Sequence, residues 1–239
     1  VYIADLDGDV YRARTGGNPD PDSWEITQLY SGSQEITSPP VVSFGPDGNI
    51  YVFFGTGAYL DETDMMTTDQ QSFICVIDNH TGNTYDKKDL TDQTDSIHEI
   101  GNNNGWFVDL WFEEGERVTE QAVVVAKSVI FTSFAPTLQA CVSGGNSYLY
   151  QMSYDTGGLP ENSEMENPED RGSSLGQGIA SYPVVDLAAG NVVVQSSDAS
   201  ILVAPIAAPY TRLTVRSWQE SFNLNTGYEQ IDGEGGELQ

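Results

Sequence analysis

Hydrophobic residues in this chain fall in short runs, and helical spacing is nearly absent. The runs are rich in Val, Ile, Tyr and Phe and are bounded by Gly, Pro, Asn and Asp, as in segments 49–53, 72–78 and 147–152. Short β-branched and aromatic runs between turn residues are typical of strands. The sequence therefore predicts an all-β protein.

One strand pattern recurs along the chain. Val-Val follows Pro at 39–42 and again at 183–185, and a turn then leads to a second strand. A shorter copy spans 120–131, and a third strand follows each copy. This unit is typical of a quinoprotein-type β-propeller blade. A blade exposes apolar surface on both sides, so it is stable only between neighbouring blades.

The N-terminal segment predicts an incomplete copy of the same unit. Residues 1–5 and 9–13 form a hairpin around Asp7-Gly8, and 24–30 supplies a further strand, but a Pro-Val-Val strand is missing. We therefore predict a partial β-propeller of quinoprotein-like blades, about three complete and one incomplete, whereas whole propellers have roughly four to eight. The remaining blades are expected from upstream residues or another chain. The predicted domains are 1–220, the C-terminal part of a propeller domain, and 221–239, an acidic Gly-rich tail.

The net charge argues against a nucleic-acid partner, and the short apolar stretches argue against a membrane span. The chain has 36 acidic and 9 basic residues and a net charge of −27, whereas nucleic-acid binding needs clustered Lys and Arg. Its apolar stretches at 122–126 and 201–210 are too short to span a bilayer. We therefore expect no nucleic-acid partner and no membrane span. The first residue is Val, which predicts either a processed start or part of a longer chain.

Cys75 and Cys141 are the only cysteines in the sequence. A small even number in a Gly-rich, Asp-rich chain fits an exported protein with one disulfide. Two buried free thiols are the alternative, because the pairing of two strand-like segments cannot be read from sequence.

Two acidic segments are weak candidates for a metal site. Asp5, Asp7 and Asp9 alternate like the start of a calcium loop, but Gly16 stands where the loop would need an acidic residue. The Asp7-Gly8 turn explains the same residues without a metal. The second candidate comprises Asp61, Glu62 and Asp64. A divalent ion would relieve their mutual repulsion, and a solvated loop is the alternative.

Further segments, spread in order over about residues 1–220, point to one family. They include Tyr2-Ile3-Ala4-Asp5-Leu6-Asp7-Gly8-Asp9-Val10-Tyr11-Arg12, Ile36-Thr37-Ser38-Pro39-Pro40, Phe54-Gly55-Thr56-Gly57-Ala58-Tyr59-Leu60, Gly105-Trp106-Phe107-Val108-Asp109-Leu110, Gly115-Glu116-Arg117-Val118, Val129-Ile130-Phe131-Thr132-Ser133-Phe134-Ala135-Pro136-Thr137 and Tyr148-Leu149-Tyr150. This ordered set resembles the C-terminal propeller domain of the PilY family, the type IV pilus tip and assembly proteins.

The resemblance implies an exported, non-enzymatic protein at the pilus tip. Such proteins sit with minor pilins, help to start pilus assembly, oppose retraction and contact surfaces or host cells. The family often has an Asp-rich calcium loop just before the segment that corresponds to Val1. That loop would lie upstream of this chain, as would the variable region associated with adhesion. The resemblance therefore implies calcium as a cofactor of the family, but the family's calcium ligands cannot be transferred to the residues of this chain. No organic cofactor is expected.

An enzyme and a carbohydrate-binding propeller remain as alternatives. A quinone- or metal-dependent propeller enzyme needs a cofactor pocket and a carboxylate base, and many such enzymes use adjacent cysteines, unlike Cys75 and Cys141. A hydrolase triad would have to use His80 or His98, both in polar, turn-rich segments. A secreted carbohydrate-binding propeller is the second alternative.

Overall fold

In a computed structural model, the described residues are 1–45, 47–100, 104–137, 144–161 and 163–207. Within them the chain forms four sheets that follow one another along the sequence, and none closes on itself. The prediction of an all-β protein is confirmed. Cys141 and the predicted acidic tail 221–239 lie outside the described residues. Short 3₁₀ helices occur at Pro21–Ser23, Asp64–Met66, Lys87–Asp89 and Pro168–Arg171.

The first sheet is an antiparallel meander. Its strands are β1 (Tyr2–Ala4), β2 (Val10–Arg14) and β3 (Glu25–Tyr30). The β1–β2 hairpin pairs Ile3 with Tyr11 across the Asp7-Gly8 turn. The hairpin predicted from the sequence is therefore confirmed.

The second sheet has five strands in the order β4-β5-β6-β8-β7. They are β4 (Val41–Phe44), β5 (Ile50–Gly55), β6 (Ser72–Asp78), β7 (Thr91–Asp92) and β8 (Gly105–Asp109). The sequence predicts 83–104 as a polar insertion, whereas the structure places β7 there, parallel to β8 at the sheet edge. Two residues are too few for a periodic signal, so this strand follows from its tertiary pairing.

The third sheet has the order β12-β11-β10-β9. Its strands are β9 (Val123–Val125), β10 (Ser128–Pro136), β11 (Gly145–Ser153) and β12 (Gly172–Gln177). Strands β10 and β11 pair over their whole length. The sequence predicts 157–178 as an acidic insertion between strands, whereas the structure places β12 there. Its Gly- and Ser-rich residues give little strand signal, and its pairing with β11 overrides that weak propensity.

The fourth sheet is a three-stranded antiparallel meander. Its strands are β13 (Val184–Asp186), β14 (Asn191–Gln195) and β15 (Ile201–Pro205). The register sets Val184, Val193 and Val203 side by side.

Apolar side chains fill the space between consecutive sheets in three layers among the described residues. Between the first and second sheets lie Val10, Leu29, Tyr30, Val52, Phe54, Ile74 and Val76. Between the second and third lie Phe53, Phe73, Cys75, Trp106, Val129, Phe131, Tyr150 and Met152. Between the third and fourth lie Ile130, Leu149, Ala180, Val192 and Val194. The sheets are therefore stacked face to face in chain order.

The stack presents an apolar face at each end. On the first sheet Ile3 is 53% exposed and Ile26 65%. On the fourth sheet Val184 is 51% exposed, Ile201 68% and Val203 61%. The inward-facing residues of these same sheets are buried or half-buried, so among the described residues each end sheet is packed on one side only.

Candidate functional site

The Asp5–Asp9 segment is a turn that positions the connection between the first two sheets. Asp5 Oδ1 accepts hydrogen bonds from the backbone N–H groups of Asp7 (3.1 Å) and Asp9 (2.9 Å). Gly8 has φ of 90°, and a Cβ there would lie 2.5 Å from the carbonyl oxygen of Gln34. The turn therefore needs glycine and fixes the position of segment 31–34. Calcium binding by Asp5, Asp7 and Asp9 stays a prediction.

Segment 31–34 lines a pocket between the first two sheets, here called the seam pocket. Its volume is about 390 Å³. Hydroxyl and amide groups make up much of its wall, including Ser31, Ser33, Gln34, Thr56, Gln70 and Ser72. Such a wall suits hydrogen bonding to a polar ligand.

Charged groups at the seam pocket are partly neutralised within the protein. Lys87 Nζ contacts the Asp109 carboxylate and lies 4.5 Å from the centre of the Phe107 ring. The Ser72 hydroxyl donates to the same Asp109 oxygen at 2.6 Å. Lys88 also lines the pocket, and its side chain is 91% exposed. The pocket therefore combines neutral hydrogen-bonding groups with Lys88 and the Asp86 carboxylate, whose Oδ2 lies 3.4 Å from Lys88 Nζ.

A second pocket adjoins the first and is here called the carboxylate pocket. It has a volume of about 300 Å³ and shares Ser33 and Gln34 with the seam pocket. Its lining also includes Glu35, Asp64, Asp69, Gln71 and Arg117. The two pockets thus form one polar surface beside the first two sheets.

The acidic loop 61–64 contributes only Asp64 to this pocket. Asp61 Oδ1 accepts hydrogen bonds from the Thr63 hydroxyl (2.6 Å) and the Thr63 backbone N–H (2.7 Å), which lower the pKa of Asp61. Asp64 Oδ2 accepts from the backbone N–H of Leu60 at 2.6 Å. Glu62 is exposed. Asp61 and Asp64 therefore organise the loop, and the prediction that Asp61, Glu62 and Asp64 share a metal stays untested.

Arg117 holds this loop against the third sheet. Its guanidinium is buried and donates to the carbonyl oxygens of Ala58 (2.6 Å), Asp64 (2.7 Å), Thr67 (2.9 Å) and Gly115 (2.8 Å). Burial lowers its pKa. Sequence reasoning did not assign Arg117 this role, because carbonyl acceptors leave no pattern in a sequence.

Arg171 likewise holds two other loops through hydrogen bonds to their backbone carbonyls. It donates to the carbonyl oxygens of Gly157 (2.6 Å), Thr94 (2.7 Å) and Pro168 (2.6 Å). Its guanidinium lies 5.3 Å from the Trp111 ring, and burial lowers its pKa to about 10. Arg171 thereby joins the predicted insertions 83–104 and 157–178.

Cys75 is a buried cysteine at the centre of β6, paired in register with Phe53 and Trp106. Burial raises the pKa of the thiol well above its ordinary value. Its predicted partner Cys141 lies outside the described residues, so the disulfide stays a prediction. Mass measurement before and after reduction and alkylation tests it.

One hydrolase motif is present in the sequence, Gly172-Ser173-Ser174-Leu175-Gly176. In serine hydrolases the Gly-x-Ser-x-Gly serine lies on a sharp turn from a strand into a helix. Here the motif lies within β12, where Ser174 is exposed and pairs in register with Tyr148. The strand context therefore does not form a nucleophile elbow.

Neither comparison with known proteins nor the arrangement of the other described side chains assigns a reaction or a ligand to this chain. No protein-family model, curated protein or solved structure matches this chain. The part of the chain that the structure describes contains no group of three or more His, Cys, Asp or Glu placed to hold a metal ion. Among the same residues, the helices are all too short or too polar to cross a bilayer. The two adjoining pockets are the candidate site, and their chemistry suits recognition of a polar partner.

Proposed function

We propose that this chain is the C-terminal part of a larger β-propeller that acts as a non-enzymatic scaffold at the tip of a type IV pilus, outside the cell. The chain would contribute rigid stacked blades whose loops contact minor pilins or other tip proteins. Binding, and not catalysis, would be its mechanism. The segments that resemble the PilY family support the pilus part of this proposal.

The apolar end faces are the observation that best supports the larger propeller. Val184, Val193 and Val203 form a row on the outer face of the fourth sheet, while Val192 and Val194 on its inner face are 0% and 1% exposed. Burying apolar surface contributes about 25 cal/mol per Å². An additional sheet on each end would therefore stabilise the stack, as neighbouring blades do in a propeller.

The loops also favour a binding scaffold. Arg117 and Arg171 hold the loops through seven hydrogen bonds to backbone carbonyls. A loop that is already ordered loses less conformational entropy when it meets a partner. The acidic surface, with a net charge of −27, favours solubility outside the cell.

Affinity purification of the tagged full-length protein from its own cells tests the pilus proposal. We expect minor pilins to co-purify and the protein to be present in sheared pili, detected by mass spectrometry. Absence from both fractions would contradict the proposal. Absence together with a bound quinone spectrum and dye-linked alcohol oxidation would favour the enzyme alternative.

A pair of variants of the same full-length protein tests the larger propeller. Val203→Asp places a charge on the end face, and Met66→Asp places one at the end of the 3₁₀ helix Asp64–Met66, where Met66 is 62% exposed. If further blades cover the fourth sheet, only Val203→Asp lowers the free energy of unfolding, by about 2–4 kcal/mol for a buried unpaired charge. Equal effects of the two variants would contradict coverage of this face.

Carbohydrate binding is a second candidate, and the seam pocket favours it. Its hydroxyl and amide wall, beside Tyr30, resembles the mixture of polar and aromatic groups that orients a sugar. A glycan array with the full-length protein and a Gln34→Leu variant tests this function. Loss of a specific signal in the variant would support it, and no signal above background with the unaltered protein would reject it.

A further inference from the structure

Gln71, one of the residues that line the carboxylate pocket, carries a buried acceptor without a donor. Gln71 is 4% exposed, and its Oε1 has no hydrogen-bond partner. Its Nε2 donates to Gln34 Oε1 at 3.1 Å and to the Asp69 carbonyl at 3.3 Å, so the orientation of the amide is fixed. A buried acceptor without a donor costs about 1–3 kcal/mol, and native structures rarely leave one without a reason.

The charges that line this pocket favour a cationic ligand. The charged residues that line it are Glu35, Asp64, Asp69 and Arg117. Arg117 already donates to four backbone carbonyls. The lining therefore has three carboxylates against one cation, in a protein that is itself strongly acidic.

We propose that the carboxylate pocket binds a primary ammonium group of the lysine type, presented by a partner protein. An ammonium has three N–H donors and no acceptor, so it can satisfy Gln71 Oε1 and pair with Glu35 and Asp69. The source of the lysine rests on the proposed scaffold function, whereas the chemistry of the pocket does not.

A divalent ion fits this pocket less well than an ammonium on an aliphatic stem. Its carboxylates are not among any group of acidic residues placed to hold a metal in the described chain. The volume of about 300 Å³ also exceeds the space that a bare ion fills. The guanidinium of Arg117 would repel a divalent charge more strongly than a single one.

Calorimetric titration of the full-length protein with Nα-acetyl-lysine amide at low salt tests the proposal. We expect saturable binding that Glu35→Gln and Asp69→Asn each weaken about two- to fivefold, as loss of one partly exposed charge would. Glu114→Gln is the matched control, because Glu114 is exposed and does not line the pocket. Gln71→Met removes the acceptor at similar volume and is expected to weaken binding more than either carboxylate variant.

Two other titrations show what would overturn the proposal. Equal binding of Nα-acetyl-norleucine amide would mean that the aliphatic stem, and not the ammonium, is recognised. Calcium chloride that binds saturably and displaces the lysine probe would identify a divalent site instead. Because no pilin is present in these titrations, their failure overturns the pocket assignment alone, while failure of co-purification overturns the pilus proposal alone.

Discussion

The two middle sheets differ from the two end sheets in how their strands are buried. All seven residues of β6 in the second sheet are buried. In β15 of the fourth sheet, exposed and half-buried residues alternate. A sheet packed on both faces reads as a continuous apolar run, and a sheet packed on one face reads as an alternation. The difference indicates where packing is complete and where, within residues 1–207 as described, the stack lacks a neighbouring sheet.

Removing an aromatic ring from the middle of the stack should lower the free energy of unfolding more than the other changes predicted below. Phe131 is fully buried and stacks on Phe73 with ring centres 3.9 Å apart and on Tyr150 at 4.8 Å. We expect Phe131→Ala to lower the free energy of unfolding by about 3–5 kcal/mol because it leaves a cavity. Ile201→Ala on the exposed end face should change it by less than about 0.5 kcal/mol in this chain alone. Urea denaturation of both variants measures the contrast, and similar losses would show that the end sheets are packed like the middle ones.

The interface between the first and second sheets depends on a buried ion pair. Asp78 accepts hydrogen bonds from Arg12 at 2.5 Å and Tyr2 at 2.6 Å. Burial by itself would raise the pKa of Asp78, but these hydrogen bonds outweigh it, and the pKa is lowered. The resulting stabilisation is present above the ordinary Asp pKa and is lost as the pH falls through the lowered one.

We expect Asp78→Asn to lower the free energy of unfolding at neutral pH by about 3 kcal/mol, because Arg12 would remain buried without a carboxylate. Glu25→Gln in the first sheet is the matched control, since the Arg14–Glu25 pair is exposed and 3.8 Å apart. That variant should cost less than about 1 kcal/mol. Urea denaturation at pH 7 separates the two, and equal losses would mean that the Asp78 pair adds nothing specific to this interface.

Two buried arginines, Arg117 and Arg171, hold the loops that connect the sheets and strands. Arg117→Met should cost about 2 kcal/mol, because the carbonyls of Ala58, Asp64 and Thr67 lose a charged donor. Limited proteolysis should then cut within 58–67. Arg171→Met is the matched control, and it should instead expose the loop near Gly157. Cleavage at the same place in both variants would contradict separate roles for the two arginines.

The sequence predicts the strands well where both faces are apolar or where a turn motif limits them. The run 72–78 and the Asp7-Gly8 hairpin are examples. It does not predict β12, whose Gly and Ser residues are held by pairing with β11. Local composition cannot reveal a strand that depends on its neighbour.

The candidate site was predicted less completely than the fold. Of the two acidic segments, only Asp64 lines the seam pocket or the carboxylate pocket, while Asp5 and Asp9 shape a turn. Gln71 and Arg117 were not predicted, because their roles depend on partners from distant parts of the chain. Because every residue has a backbone carbonyl, a hydrogen bond to a carbonyl does not require a particular residue type at the acceptor position. Such bonds therefore leave no sequence motif.

Glu116, a buried carboxylate near the layer between the second and third sheets, should have the smallest effect on the free energy of unfolding. Its contribution should depend on pH with a sign opposite to that of Asp78. Glu116 accepts hydrogen bonds from the hydroxyls of Ser133 and Tyr150 and from the Phe112 backbone N–H. Burial raises its pKa, and these donors only partly offset that rise. The native state therefore holds the Glu116 proton more tightly than the unfolded state does.

This difference predicts a fall in stability with rising pH. The stabilising contribution is full below the ordinary Glu pKa, about 4.3, and is lost as the pH rises through the raised native value. Glu116→Gln should flatten this part of the curve of unfolding free energy against pH. Glu161→Gln is the control, because Glu161 is exposed and its ion pair with Lys127 lowers its pKa, so its small contribution has the opposite sign. If the slope is unchanged in Glu116→Gln, the hydroxyl donors compensate fully for burial, and the two buried carboxylates do not differ in sign.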